Sequence, residues 1–168
     1  PKETLELIRR CEAGIFGAVS SPARKVEGYR SAILVMRQSL NLYANIRPVW
    51  SLPVVSPRPG IDMIIIRENT EGLYSGIEYS DGERAVAERI ITRTASRRLA
   101  VCAMDICQKM KGKKLTIVHK ANILPVTDGL FRDTVRTVAG EYSQKGFDIT
   151  VDELLVDVAA MKMVSEPE

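Results

Sequence analysis

The sequence predicts an α/β fold in which helices flank a mixed sheet. Short apolar runs of strand length alternate with longer segments whose apolar residues recur at helical spacing. Apolar residues make up 45% of the 168 residues and aromatic residues only 5%, so the core must be built mainly from aliphatic side chains. No apolar run approaches the ~20 residues that a membrane-spanning helix requires, and no membrane association is predicted.

The first part of the chain contains two predicted helices and three predicted strands. These are residues 3–10 (helix), 13–18 (short buried strand), 29–42 (helix), 45–49 (strand) and 61–67 (strand). The last of them is a continuous apolar run rich in β-branched residues, which is typical of a strand buried on both faces.

The second part begins with a turn and then continues the alternation of strand and helix. The predicted elements are residues 85–91 (strand), 94–109 (helix), 115–120 (strand), 128–142 (helix) and 153–157 (strand), the last leading into a helix through residue 163. In an alternating fold the first and last helices should each pack beside a further strand. We therefore expect the chain to be an incomplete portion of a longer protein.

Charge and cysteine content exclude several classes of protein. The 24 Lys and Arg residues exceed the 21 Asp and Glu residues by only three, and the basic stretches are not interleaved with aromatic residues. Nucleic-acid binding is therefore not predicted. Cys11, Cys102 and Cys107 are odd in number and lack the C-x-x-C spacing, which argues against a disulfide framework or a zinc site. We expect reduced thiols and a cytoplasmic location.

Three arginines are candidates for binding an anion. Arg37 lies on a predicted helix, Arg47 in a predicted strand, and Arg67 at the end of a strand otherwise filled with isoleucine. A buried guanidinium needs an anionic partner. For Arg67 that partner is either an internal carboxylate, such as Glu68 or Glu71, or a substrate carboxylate held by a bidentate pair of hydrogen bonds.

Other residue types that carry chemistry follow the predicted strands. Lys120 ends an apolar strand, at the edge where ligands bind to α/β sheets. His119 alternates with it, so we expect it to face the other way and to be structural. Tyr74 either relays a proton or packs. Asp157 offers a hard oxygen to a divalent cation, whereas Asp128 is expected to be a helix N-cap.

Five segments taken together resemble the β-decarboxylating dehydrogenases, which form the isocitrate/isopropylmalate dehydrogenase family. They are residues 16–22 (FGAVSSP), 42–49 (LYANIRPV), 66–74 (IRENTEGLY), 119–124 (HKANIL) and 127–131 (TDGLF). They occur in the family's order with comparable spacing, and they span nearly the whole chain. The usual Gly-rich nucleotide fingerprints are absent, so the resemblance depends on these segments alone. It implies an isopropylmalate-dehydrogenase-like fold.

The resemblance also implies a reaction, namely oxidative decarboxylation of a malate-type 2-hydroxy acid with hydride transfer to NAD or NADP. By the same resemblance Arg37, Arg47 and Arg67 would bind the carboxylates of this small-molecule substrate. Ser31 and Asn122 would make further contacts with the substrate or the cofactor.

The family's acid–base and metal residues match three further positions. Lys120 would take the hydroxyl proton, Tyr74 would protonate the enolate carbon, and Asp157 would be one ligand to Mg²⁺ or Mn²⁺. In the family the lysine and the aspartate serve the partner subunit's site. A homodimer or higher homo-oligomer with shared active sites is therefore implied.

The implied domain organisation has three parts. Residues 1–48 would be the edge of the large, cofactor-binding domain, residues 49–157 the small domain for substrate binding and dimerisation, and residues 158–168 a return into the large domain. The family's Gly-rich opening loop, two further metal aspartates and adenosine-binding loop have no counterpart in this sequence. We therefore expect the isolated chain to be inactive.

The segment of residues 21–33 bears on the substrate and resembles the homoisocitrate dehydrogenases. Arg24, Lys25 and Arg30 would suit a third carboxylate. The alternatives are 3-isopropylmalate, whose apolar branch would suit Ile33, and isocitrate. An alternative of another class is a non-catalytic regulatory or dimerisation subunit, although such a subunit would be expected to lose the lysine or the tyrosine that the family uses.

Overall fold

The computed structural model describes residues 2–11, 13–20, 22, 24, 26, 28–54 and 58–167. Two compact units are present, Pro1–Tyr43 and Ala44–Glu168. Lys25 of the predicted specificity segment lies outside the described residues. Within the described ranges, no helix is both long enough and apolar enough to cross a membrane.

The first unit contains two helices, α1 (Lys2–Arg10) and α2 (Ala32–Ser39). Both were predicted, but α2 is shorter at each end than the predicted range of 29–42. It ends where Asn41 takes a left-handed conformation with φ of 51°. An Arg9 guanidinium nitrogen donates to the Ser39 carbonyl at 3.1 Å and so ties the two helices together.

The predicted strand over residues 13–18 is wrong. These residues form neither strand nor helix, and their side chains are exposed, with Ile15 at 105% of its reference surface. A strand needs a neighbour to pair its backbone groups. No strand in the described part of the first unit provides one. Local hydrophobicity alone was therefore not sufficient to form a strand here.

The second unit opens with an antiparallel pair, β1 (Ala44–Trp50) and β2 (Asp62–Glu68). The strands were predicted to within about one residue, but the prediction that β2 is buried on both faces is wrong. Its residues are half-buried or exposed. The physical reason is the pairing, because antiparallel strands commonly leave one face of the sheet open. Pro48 does not end β1 but lies within it, opposite Ile64.

A short hairpin follows the turn after β2. It consists of β3 (Glu78–Ser80), which was not predicted, and β4 (Ala85–Ala87), which is shorter than predicted. The Asp81 carboxylate closes the hairpin loop by accepting the backbone N–H groups of Glu83 and Arg84 at 3.1 and 2.8 Å. Three-residue strands are too short to show a clear alternation in sequence.

The remaining elements alternate as predicted and confirm the α/β fold class. They are α3 (Arg93–Lys109), β5 (Lys114–His119), α4 (Thr127–Gln144), β6 (Thr150–Leu155) and α5 (Val156–Ser165). β5 and β6 pair in parallel, with α4 as the crossover helix that such a connection requires. Parallel and antiparallel pairing both occur, in three two-stranded sheets among the described residues.

The core of the second unit lies between α3, α4 and β5. Its fully buried side chains are Met104 on α3 and Val138 on α4. The rest of the buried cluster is Ala100, Ile117, Val135 and Ala139. The spacing of four residues between the α3 members, and of three and four between the α4 members, places each set on one helix face.

We expect Met104→Ala to lower the free energy of unfolding by about 2–5 kcal/mol, because it leaves a cavity in this core. Met110→Ala is the matched control, since Met104 is 0% exposed and Met110 is 65% exposed. Denaturant titration of both variants checks this. Equal effects of the two substitutions would contradict the position of the core.

Candidate functional site

Two arginines lie on the same face of the β1–β2 pair. Asn45 is directly opposite Arg67 in the register, and Arg47 is two residues from Asn45 along its strand. Alternate residues of a strand and directly opposed residues share a face, so Arg47 and Arg67 are diagonal neighbours. Arg47 Nε donates to Asn45 Oδ1 at 2.9 Å. Both arginines are exposed, which leaves two positive charges directed away from the strands.

Arg67 stacks on Tyr74. Its guanidinium carbon lies 5.1 Å from the centre of the phenol ring, within the range of a cation–π interaction. Among the described residues, neither Glu68 nor Glu71 forms an ion pair with Arg67. The hypothesis of an internal carboxylate partner is therefore wrong. The reason is that Arg67 is exposed, so water stabilises its charge and no buried partner is required.

The carboxylate of Glu68 instead holds the start of the turn that carries Tyr74. It accepts the N–H of Thr70 at 2.7 Å, the hydroxyl of Thr70 at 2.6 Å and the N–H of Glu71 at 2.6 Å. Arg98 donates to the Thr70 hydroxyl at 2.6 Å and so links α3 to the turn. This network was not predicted from the sequence, although a short polar side chain two residues after a carboxylate is typical of turns.

Further contacts fix the rest of the turn against the segment before α3. Glu71 accepts the N–H and the hydroxyl of Thr92 at 2.8 and 2.7 Å. Gly72 has a φ of 67°, which a side chain would strain, and its N–H donates to the Ile90 carbonyl at 2.8 Å. A 3₁₀ helix over Leu73–Ser75 then places Tyr74 in a half-buried position.

Lys120 and Asp157 meet at the end of the β5–β6 pair. The last register pair is His119 with Leu155, so the residues that follow both strands emerge side by side. Lys120 Nζ donates to Asp157 Oδ2. Lys120 is half-buried and Asp157 is exposed. The sequence placed both residues at the ends of predicted strands, residues 115–120 and 153–157, but it did not predict that they contact each other.

The ammonium of Lys120 also changes the acidity of Asp157. Its hydrogen bond holds the pKa of the Asp157 carboxyl below its usual range, aided by the backbone N–H of Asp157 and opposed by partial desolvation. Asp157 is therefore anionic at neutral pH. Because the pKa is depressed in the folded state, this interaction stabilises the fold above the unfolded pKa, and the stabilisation is lost as pH falls through the folded value.

His119 and Asp128 have structural roles in the adjoining turn. His119 is buried, and its Nδ1 accepts the N–H of Ala121 at 3.0 Å, which supports the structural role predicted for it. The prediction that Asp128 is the N-cap of its helix is wrong. Val126 occupies that position, and Asp128 lies in the first turn of α4. Its carboxylate accepts the Lys120 N–H at 2.6 Å, a tertiary contact that competes with capping.

Three further predicted residues are Ser31, Arg37 and Asn122. Ser31 immediately precedes α2 and Arg37 is in its last turn, so both belong to the first unit. Asn122 is exposed in the turn after Lys120. Among the described residues, no group of three His, Cys, Asp or Glu side chains could hold a metal ion. Asp157 is therefore a single oxygen donor and does not by itself fit a complete Mg²⁺ site.

The second unit thus presents two groups of side chains that could bind a ligand or transfer a proton. One is a pair of exposed guanidinium groups beside a phenol, which suits a ligand with more than one carboxylate. The other is a lysine ammonium held against an aspartate, which suits proton transfer or a cation. Tyr74 lies in the turn after β2 and Lys120 in the turn after β5, and turns are where functional groups are usually placed.

The chain is similar to known proteins over its whole length. A model of the isocitrate/isopropylmalate dehydrogenase family matches residues 1–168. The chain is 46% identical over 168 residues to an isocitrate/homoisocitrate dehydrogenase of Thermus thermophilus, covering 100% of this chain and 49% of the relative. It is 45% identical over 169 residues to a 3-isopropylmalate dehydrogenase of Methanothermobacter thermautotrophicus, covering 100% of this chain and 48% of the relative.

A similar fold is found among solved structures. The crystal structure of isocitrate dehydrogenase from Methylococcus capsulatus matches with a TM-score of 0.89 and 40% identity, covering 99% of this chain and 49% of that one. The chain spans about half the length of the curated relatives it matches. The likeness therefore covers one half of such an enzyme.

We expect Lys120→Ala to raise the pKa of the Asp157 carboxyl towards its ordinary value, since the substitution removes the main cause of the depression. Lys114→Ala is the matched control, because Lys114 begins the same strand and lies 3.3 Å from a different carboxylate, Asp152. NMR titration of the Asp157 carboxyl carbon measures the shift. An unchanged pKa in Lys120→Ala would contradict the contact.

Proposed function

We propose, since the chain belongs to the isocitrate/isopropylmalate dehydrogenase family, that the protein containing it oxidatively decarboxylates a malate-type 2-hydroxy acid with NAD or NADP as hydride acceptor. The observation that carries the proposal is the pairing of Lys120 with Asp157 at the ends of β5 and β6, in a chain that the family model matches throughout. The relatives are named for isocitrate, homoisocitrate and 3-isopropylmalate, which are all acids of this class.

The proposed substrate-binding groups are the arginines. Arg47 and Arg67 are exposed on one sheet face, where two guanidinium groups can each form paired hydrogen bonds with a carboxylate. Stacking on Tyr74 limits the freedom of Arg67 before substrate arrives, which reduces the entropy lost on binding. We assign Arg37, with Ser31 and Asn122, to the same substrate on the basis of the family resemblance.

The proposed proton transfers involve Lys120 and Tyr74. Lys120 first gives its ammonium proton to solvent, and the neutral Nζ then takes the proton of the substrate hydroxyl. The bound nicotinamide would accept the hydride from the same carbon. The bond to the carboxylate beta to the new ketone then breaks, carbon dioxide leaves, and the electron pair forms an enolate. The Tyr74 hydroxyl donates a proton to the enolate carbon. The contact with Asp157 orients the lysine side chain for the first step.

We propose Mg²⁺ or Mn²⁺ as the metal, with Asp157 as one of its ligands. The described residues do not complete a three-ligand group, so the other ligands would come from outside them. The remaining assignments also stay proposals. They are the three-part domain organisation, a homodimer or higher homo-oligomer with shared active sites, and a cytoplasmic location, which the three free cysteines support.

Homoisocitrate is the substrate we propose, with 3-isopropylmalate and isocitrate as alternatives. Arg24 and Arg30 are exposed in the segment before α2, where positive charge would favour a substrate with a third carboxylate over one with an apolar branch. The relative from Thermus thermophilus is named for both isocitrate and homoisocitrate, which carry that third carboxylate.

We expect the full reading frame that contains this chain to form NADH or NADPH from one of these three acids in the presence of Mg²⁺. Lys120→Ala should lower kcat by about 10²–10⁴, the usual contribution of a positioned acid–base group. Lys114→Ala, a change of the same kind at the start of the same strand, should stay close to wild type. The formation of reduced cofactor is followed by absorbance.

Two results of this assay would contradict the proposal. If the acids bind but none is oxidised, the protein is a regulatory or binding subunit and the catalytic roles are wrong. If one acid is oxidised and Lys120→Ala keeps full activity, the family reaction stands but the proton acceptor is another residue.

We expect Tyr74→Phe to lower kcat by about 10²-fold or more while leaving KM for the acid nearly unchanged. Phenylalanine keeps the ring under Arg67 and removes only the hydroxyl. Tyr79→Phe is the matched control, since Tyr79 is exposed in the hairpin. Steady-state kinetics measure both constants, and an unchanged kcat would mean that Tyr74 only packs against the arginine.

A further inference from the structure

A buried carboxylate supports the turn that carries Lys120. The side chain of Asp128 is 5% exposed, and its two oxygens have different partners. Oδ2 accepts the backbone N–H of Lys120 at 2.6 Å. Oδ1 lies 2.7 Å from a guanidinium nitrogen of Arg89, an ion pair. A carboxylate this buried is stable only with such partners, so its position is tightly defined.

The backbone of Lys120 is held on both sides. Its N–H donates to Asp128, and its carbonyl accepts the N–H groups of Ile123 and Leu124 at 3.0 and 2.9 Å. The backbone contacts lie within the turn itself, whereas Asp128 belongs to the helix that follows. The Asp128 carboxylate is therefore the side-chain contact that fixes the lysine backbone relative to α4.

Arg89 brings a second connection. It lies in the segment that runs beside the Tyr74 turn, where Ser75 Oγ donates to the Glu88 carbonyl at 2.7 Å and Gly72 N–H donates to the Ile90 carbonyl at 2.8 Å. The residues on both sides of Arg89 are thus bonded to the turn. Its ion pair with Asp128 joins that turn to the lysine turn.

We propose that Asp128 is a positioning residue for Lys120, and that the Arg89–Asp128 ion pair fixes the lysine turn relative to the segment before α3. The catalytic part of this proposal rests on the function proposed above. Asp128 contacts no substrate in this role and acts through the lysine backbone. Proton transfer needs donor and acceptor within about 2.6–3.2 Å, so a displacement of about 1 Å can lower the rate on the order of 10²-fold.

Three substitutions in the full reading frame separate the two contacts. Asp128→Ala removes both of them, Arg89→Ala removes only the ion pair, and Asp128→Asn keeps an oxygen that can accept the Lys120 N–H while losing the charge. Asp133→Ala is the matched control, because Asp133 is an exposed aspartate on the same helix that pairs with Arg132.

We expect Asp128→Ala to lower kcat about 10–100-fold with KM for the hydroxy acid changed by less than about threefold. Asp128→Asn should recover most of this loss, and adding Arg89→Ala to Asp128→Asn should have no further effect. Asp133→Ala should match the wild type. A merely structural role would lower the amount of folded enzyme without this separation of kcat from KM, and without rescue by asparagine.

A measurement that does not depend on activity tests the structural part of the proposal, that Asp128 holds the Lys120 backbone, separately from its effect on kcat. Amide hydrogen exchange at Lys120 should be at least about tenfold faster in Asp128→Ala than in the wild type, with the wild-type rate restored by asparagine. If Asp128→Ala does not fold, Asp128→Asn and Arg89→Ala are compared instead. Both lose the ion pair while an oxygen still accepts the Lys120 N–H, so both should lower kcat by the same small factor and Asp133→Ala should not. A wild-type kcat in both variants would overturn the role of the ion pair.

The positioning role of Asp128 and the proposed function can fail separately. Turnover by the wild type with an unchanged kcat in Asp128→Ala would overturn the positioning role and leave the proposed function standing. An unchanged exchange rate at Lys120 would overturn it whether or not the protein is an enzyme. Faster exchange with no turnover by the wild type would support the anchoring of the lysine turn and contradict the proposed function.

Discussion

The parallel pairing of β5 with β6 determines where Lys120 and Asp157 lie in the second unit. Parallel strands need a crossover, and here α4 supplies it while its buried face, together with α3, forms the core around Met104 and Val138. The pairing also brings the carboxyl ends of both strands to one edge. Lys120 directly follows β5, and Asp157 lies two residues after β6 in the first turn of α5, so strand direction and register bring them into contact.

The carboxylates around Tyr74 and Lys120 fall into two groups with different physical roles. Glu68, Glu71 and Asp128 are buried or half-buried and accept backbone N–H groups, which fixes the turns that carry Tyr74 and Lys120. Asp157 is exposed, and its partner is the long, flexible side chain of Lys120. A buried carboxylate gains more stability from well-placed hydrogen-bond donors, and losing them costs more. The first group is therefore suited to holding the two turns in place, and exposed Asp157 is suited to exchanging one partner for another.

The sequence predicted elements best where local pattern and tertiary environment agree. α3, α4 and β5 have strong periodicity and bury the expected faces, and their bounds were close. The segment of residues 13–18 is equally apolar but lacks a partner among the described residues, which no local pattern can reveal. The same limit applies to side chains. That Arg67 would stack on Tyr74, and that Asp128 would hold Lys120 and not cap its helix, depends on turns brought together by folding.

The two contacts of Lys120 differ greatly in the length of chain that they close. Asp128 is 8 residues away and Asp157 is 37 residues away. Closing the longer loop costs about 1.4 kcal/mol more in chain entropy by the logarithmic rule. During synthesis from the amino terminus, both partners of the shorter contact are made before β6 is. The lysine turn therefore has low contact order and can form first, so that its backbone is already set when the later strand delivers Asp157.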